Sequence, residues 1–268
     1  MVLGYIDWNV DPIIFSIGKF GLRYYSLFFA LAFWFGYMMI SKMFKKEGAP
    51  DDWCDKIFVY TIIATIVGAR LGHVFFYGWD YYSQNPAEIF KIWEGGLASH
   101  GGAIGILAAL YLYHKLVAKT KSYLWVLDHI VIPIALAAFF IRMGNLFNSE
   151  IYGQPTDLPW AFRFLRLRPE LAFVPRHPTQ IYEATFYLLT FLLLWFLYWK
   201  KDFIKREGAL FGIFLICIFG FRIIVEMMKE NQEAFEDDMT LNMGQILSIP
   251  LVIIGVFCLY KALTNKSK

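Results

Sequence analysis

The sequence predicts an all-α integral membrane protein with seven transmembrane helices, an interfacial N-terminal arm and a small extracytoplasmic head, all in one polytopic domain over residues 1–268. Three observations carry that expectation. The chain is 58% hydrophobic and only 18% charged, whereas soluble domains average about 25% charged and about 45–50% apolar. Its apolar residues gather into runs of about 20, the length a helix needs to cross a bilayer. Its lysines and arginines alternate between successive connections, as topology signals do. The mean hydropathy is +0.49.

Residues 1–21 mix aromatic, apolar and proline positions, among them Trp8, Pro12, Phe15 and Phe20. They are too interrupted to span and are expected to lie in the interface, where Trp and Tyr are favoured. No basic region opens the chain, and Asp7 and Asp11 interrupt it, so the first span is expected to act as the targeting signal. The spans are expected at 22–43, 56–77, 98–117, 123–142, 179–199, 208–228 and 242–262. The fourth is the weakest, because Asp128, His129 and Pro133 interrupt it.

Lys42, Lys45 and Lys46 follow the first span, Lys115, Lys119 and Lys121 the third, Lys200, Lys201, Lys205 and Arg206 the fifth, and Lys261, Lys266 and Lys268 the last. The positive-inside rule then places the N-terminus outside and the C-terminus in the cytoplasm. The acidic 229–241 connection falls outside, as it should. The 143–178 segment is also outside, yet carries Arg163, Arg166, Arg168 and Arg176; these are expected to have a local use, such as anionic head groups. Its five prolines, Pro155, Pro159, Pro169, Pro175 and Pro178, oppose long helix, so short strands or turns are expected around Trp160–Phe164.

Cys54, Cys217 and Cys258 have no metal or redox spacing, and no repeat or low-complexity stretch is present. No cofactor, metal or nucleic acid is implied. The informative residues are polar groups within or beside apolar runs, where a charge costs roughly 2.5 kcal/mol or more. Ile141–Gly153 places Arg142, Asn145, Asn148 and Glu150 at the end of the fourth span. Arg142 alone reads equally as an arginine snorkelling to head groups; Glu150 beside it does not fit that reading. His100-Gly101-Gly102 opens the third span, and by spacing alone it suits tight helix packing as well as a ligand site. Arg176–Glu183 leads into the fifth span, where Thr179 and Glu183 have structural uses as cap and dipole partner, while Gln180 and Tyr182 do not. Arg222 and Glu226 stand four apart on one helix face. Arg70 sits between Gly68 and Gly72, and Tyr25 opens the first span, where tyrosine commonly anchors at the interface. The topology brings the polar groups of six helices toward the outer side, with Arg70 and Arg222 somewhat deeper. An arginine-rich site suits phosphate, and a phospholipid head group is the nearest phosphate.

Together these residues resemble the prolipoprotein diacylglyceryl transferases, over nearly the whole chain. The family's Gly-Arg-x-Gly-Asn … Asn … Gly-Glu … Gly signature is matched at Arg142, Gly144, Asn145, Asn148, Glu150 and Gly153, with Ile141 and Ser149 in place of glycines. His100-Gly101-Gly102, Arg176–Glu183, Arg222 with Glu226, and Met243-Gly244-Gln245 match further motifs. Lys229-Glu230-Asn231-Gln232 departs from the Arg-x-Pro-Asp that often follows. The resemblance implies a bacterial inner-membrane enzyme that moves diacylglyceryl from phosphatidylglycerol to the lipobox cysteine thiol of a prolipoprotein signal peptide. It implies Arg142 and Arg222 on the phosphodiester with Asn145, and His100 as base. His177 is the alternative base, and none is needed if nearby arginines lower the thiol pKa. Tyr25 and Arg70 are expected to line the lipid site. Asn148, Glu150, Gly153, His177, Gln180, Tyr182, Glu183 and Glu226 are expected to support it. A second reading, a transporter using Arg70, Arg222 and Glu226 as a polar path, predicts polar groups continuing to the cytoplasmic side, or inverted repeats. The sequence has neither.

Overall fold

A computed structural model describes residues 4–18, 20–200, 203, 205–230 and 239–264. The Lys201, Asn231, Gln232, Lys266 and Lys268 expectations lie outside these residues. The chain forms two compact units, 1–36 with 128–268, and 37–127.

Its long helices are α1 (Tyr24–Lys46), α2 (Asp52–Tyr77), α4 (Ser99–Leu116), α5 (Tyr123–Phe147), α7 (Thr179–Trp199), α8 (Ala209–Glu226) and α9 (Met243–Thr264), with short α3 (Trp79–Tyr82) and α6 (Pro169–Ala172) between them. All seven expected helices are present. Six of them are long and apolar enough to cross a membrane. The exception is α4, where His100, His114, Lys115 and three glycines dilute an 18-residue helix. Four short strands accompany the helices: β1 (Ile6–Trp8), β2 (Ile13–Ile17), β3 (Phe20–Arg23) and β4 (Phe162–Phe164).

In the first unit, the arm and the head form one piece. β1 pairs in parallel with β4, and β2 pairs antiparallel with β3. Arg163 donates to both Asp7 carboxylate oxygens at 2.6 and 2.9 Å, and Arg166 pairs with Asp11 at 3.0 Å. The use expected for these arginines, anionic head groups, is therefore corrected: aspartates 155 or more residues earlier neutralise them. Burial of Leu146, Phe162 and Phe164 with Trp8 against them anchors this piece on α5, and Trp8 Nε1 donates to the Leu146 carbonyl at 3.0 Å.

α5 runs unbroken past its weak points and continues to Phe147, a turn beyond the expected end. Pro133 removes one amide from its interior without ending it. Asp128 is not a defect either. Its carboxylate accepts from the amides of Gly208 (2.6 Å) and Phe211 (2.7 Å), which open α8. Those amides lack intrahelical partners, so a carboxylate from another helix acts as their cap. α8 then packs on α9 through Gly212 and Gly255; a Cβ at Gly212 would lie 2.7 Å from the Gly255 carbonyl.

In the second unit, α2 and α4 pack through glycines. A Cβ on Gly101 would stand 2.2 Å from the Gly68 carbonyl, and one on Gly105 2.6 Å from the Ala64 carbonyl. Gly101 therefore serves close helix approach, the packing use that spacing left open. At the other end of this unit Phe44 stacks on Trp125 at 5.2 Å and Trp53 meets both rings edge-on, and Trp125 donates to Glu47 at 2.8 Å.

Two outcomes are expected from thermal unfolding in detergent. Asp128→Ala strips the amides of α8 of their cap and lowers stability by about 1–2 kcal/mol; Gly101→Leu overpacks the α2–α4 contact and lowers it by about 1–3 kcal/mol. An unchanged melting temperature in either variant contradicts the corresponding contact.

Candidate active site

The last turns of α5 begin the site. Arg142 and Asn145 lie one turn apart, and Arg142 NH1 donates to Asn145 Oδ1 at 3.1 Å. Beyond Phe147 the chain reverses through two residues with positive φ, Ser149 (54°) and Ile151 (57°). That turn swings Glu150 back over the helix end, where its Oε1 accepts from Asn145 (2.8 Å) and Asn148 (3.2 Å). Glu150 is itself exposed. Gln180, fully buried on α7, fixes the same turn by donating to the Glu150 carbonyl at 2.8 Å.

Glu183 stands one turn further along α7 and has no exposed surface. Its Oε2 faces Arg142 Nε at 3.0 Å. Its Oε1 takes the Tyr187 hydroxyl at 3.0 Å and the Lys229 ammonium at 3.1 Å. Lys229 reaches a second carboxylate, Glu226 Oε1, at 3.0 Å, and that oxygen also accepts from Arg222 Nε at 3.1 Å. Five ionised groups thus form one chain: Arg142, Glu183, Lys229, Glu226, Arg222. Buried charges persist only when paired in this way, and the Arg142–Glu183 contact is an ion pair without hydrogen-bond geometry. Asn242 adds donors to Glu226. Gly244 is glycine for want of room, since a Cβ there would lie 2.6 Å from the Glu226 carboxyl carbon.

The head closes over these groups. Gly153 fits between His177, Thr179 and the Met228 carbonyl, all within 2.8 Å of where its Cβ would be. Arg176 is buried, pairs with Glu230 and lies 4.9 Å from the Tyr152 ring centre. A cavity of about 330 Å³ is walled by the Ser149–Tyr152 turn, Leu167, Lys229 and Glu230. His177 lies beside Tyr182, with Nδ1 3.3 Å from its hydroxyl, and Trp160 donates to that hydroxyl at 2.8 Å. Burial pushes the His177 pKa below the ordinary histidine value, so the ring is neutral at pH 7. Tyr25 packs flat against the α5 backbone at Gly144, where a Cβ would meet its ring at 2.6 Å.

Of the residues expected at the site, Tyr25, Arg142, Asn145, Asn148, Glu150, Gly153, His177, Gln180, Tyr182, Glu183, Arg222 and Glu226 all fall in the first unit. His100 and Arg70 belong to the second. His100 is exposed on the first turn of α4. Arg70 is buried and donates to four carbonyls, those of Glu88 (2.6 Å), Ile89 (2.8 Å), Gly95 (2.7 Å) and Gly96 (3.2 Å). Its guanidinium organises the loop before α4, a use that differs from the expected lipid contact. Lys229, Tyr187 and Asn242 were not anticipated. Lys229 carried a signal: a lone cation three residues after Glu226, at the head of an acidic connection.

Glu183→Ala leaves Arg142 and Lys229 short of a countercharge in a buried place, and is expected to cost about 3–5 kcal/mol of stability. Arg163→Ala breaks a half-exposed pair and is expected to cost less than about 1 kcal/mol. Melting temperatures of both, taken in one detergent, check the contrast; equal shifts contradict it.

Comparison with known proteins identifies the family. Residues 12–261 match the family model described as prolipoprotein diacylglyceryl transferase. A protein of Chloroherpeton thalassium named phosphatidylglycerol–prolipoprotein diacylglyceryl transferase is 47% identical, over 96% of this chain and 94% of its own. Proteins with the same name from Porphyromonas gingivalis and Bacteroides fragilis are 47% and 40% identical, covering 97% and 95% of this chain and 96% and 94% of theirs. The chain belongs to the prolipoprotein diacylglyceryl transferase family.

Proposed function

We propose that the chain transfers the diacylglyceryl group of phosphatidylglycerol to a prolipoprotein, at the thiol of the lipobox cysteine. The observation that carries the site assignment is the ion-pair chain from Arg142 to Arg222, in which a carboxylate faces the Nε of each arginine. The reaction forms a sulfur–carbon bond at the glyceryl carbon and breaks that carbon's bond to the phosphate oxygen. The bonding pair leaves with glycerol phosphate, and the thiol proton passes to a base. The phosphate changes from a monoanionic diester to a more highly charged monoester. Fixed positive charge at that phosphate therefore binds the transition state more strongly than the ground state. Arg142 and Arg222 supply that charge, with Asn145 as an amide donor; Arg222, 32% exposed, offers its fork to a ligand.

The thiol, with an ordinary pKa of about 8.5, reacts as thiolate. His100 is proposed as the proton acceptor, and neutral His177 is the alternative. Glu183 and Glu226 orient the arginines, and Tyr25, Gln180 and Tyr182 shape the walls. The topology proposed with this activity has α4 as a seventh span, the N-terminus outside, the C-terminus in the cytoplasm of a bacterial inner membrane, and the site toward the extracytoplasmic side. The transporter reading gains no support from the relatives.

Purified protein given phosphatidylglycerol and a lipobox peptide is expected to yield the diacylglyceryl thioether, detected by mass spectrometry; intact enzyme that yields none refutes the activity. Arg142→Ala and Arg222→Ala are each expected to lower kcat at least a hundredfold, and near-normal turnover in both refutes the phosphate assignment. His100→Gln is expected to slow the reaction at neutral pH and to recover as pH rises through the thiol pKa. A normal rate at neutral pH excludes His100 and turns attention to His177→Gln.

A further inference from the structure

Lys229 lies just beyond α8, in a segment whose backbone is fixed by the head. Gln154 N donates to the Met228 carbonyl at 2.8 Å, and Gln154 Nε2 donates to the Lys229 carbonyl at 3.1 Å. Arg176 pairs with the next residue, Glu230. The side chain is thereby directed inward and is 2% exposed. Its ammonium bridges Glu183 on α7 and Glu226 on α8, at 3.1 and 3.0 Å. Those carboxylates in turn hold Arg142 and Arg222. One ammonium thus joins the two carboxylates that face the two arginines.

We propose that Lys229 is a positioning residue for diacylglyceryl transfer: its ammonium joins Glu183 to Glu226, so that both arginines are aimed at one phosphate. The proposal rests on the activity proposed above. Loss of the Lys229 proton leaves two carboxylates facing a neutral amine, so the bridge that aligns the arginines loosens and binding of the phosphate weakens. The charged and titratable groups around Lys229 are Glu183 and Tyr187 from α7, Glu226 and Arg222 from α8, and Arg142 from α5, with Glu150, Tyr152 and Glu230 lining the same cavity. Burial first, and then the charge of Arg142, push its pKa below the ordinary lysine value, against the pull of Glu183 and Glu226. The ammonium is therefore lost at a lower pH than that of a solvated lysine, and the rate declines as pH rises through that value. Arginine at this position does not deprotonate.

The test uses the purified full-length enzyme, phosphatidylglycerol micelles and a lipobox peptide, with initial rates from pH 6 to pH 10. Rates are expressed as variant over wild type at each pH, so that ionisation of the thiol cancels. Lys229→Arg is expected to stay within about tenfold of wild type at pH 7 and to gain on it steadily in the alkaline range. Lys229→Met is expected to lower kcat/KM about a hundredfold at pH 7. If that variant does not fold, the arginine comparison decides alone. An arginine variant whose ratio to wild type is flat with pH overturns the proposal, as does one that is inactive throughout or a folded methionine variant within threefold of wild type. Failure of the wild type itself to transfer diacylglyceryl is a different result, and refutes the activity rather than the role of Lys229.

Discussion

One ammonium between two carboxylates holds the site together. Burying any of these five groups alone costs several kcal/mol, and only mutual pairing offsets it. The pairing also sets geometry. Arg142 comes from α5, Glu183 from α7, and Glu226 and Arg222 from α8, so the ion pairs tie three helices together. The same constraint explains the close backbone approach at Gly244, which lets a carboxylate lie flush against α9.

The head sets the position of that ammonium. Its backbone is bonded to residues 228 and 229, and the reversal at Ser149–Ile151 places Glu150 where Asn145 and Asn148 reach it. A non-glycine residue with positive φ is uncommon, and two within three residues mark a turn that its surroundings hold in place. Gln180 and Thr179 do so from the start of α7, by bonding the carbonyls of Glu150 and Ile151. Gln180, left without a structural use by spacing alone, is thus a support of the turn that carries Glu150.

Helix positions were legible because apolar runs of about 20 residues admit few alternatives, and α5 is an instructive case. Asp128 looked like an interruption because its partners, the amides of Gly208 and Phe211, lie 80 or more residues away. The pair Arg222 and Glu226 was legible from helical spacing, and the arrangement of Arg142 with Asn145 from the same rule. Arg163, Arg166 and Arg70 were ambiguous for one shared reason. An arginine advertises a need for acceptors without saying whether they are a lipid phosphate, an aspartate in a distant arm or the carbonyls of a neighbouring loop. Lys229 was hidden by its context: in an acidic connection a lysine reads as solvated, and only tertiary structure turns it inward.

The parallel pairing of β1 with β4 has a consequence for biosynthesis. Asp7 and Arg163 are separated by 156 residues, so the arm leaves the ribosome long before its partner exists. At about 5–20 residues per second the delay is roughly 8–30 s. Through that interval β1 is an unpaired strand with its backbone amides and carbonyls open to other edges. Closing so distant a contact is entropically slow. The arm is therefore among the last parts of the chain to reach its native place, although it is made well before its partner.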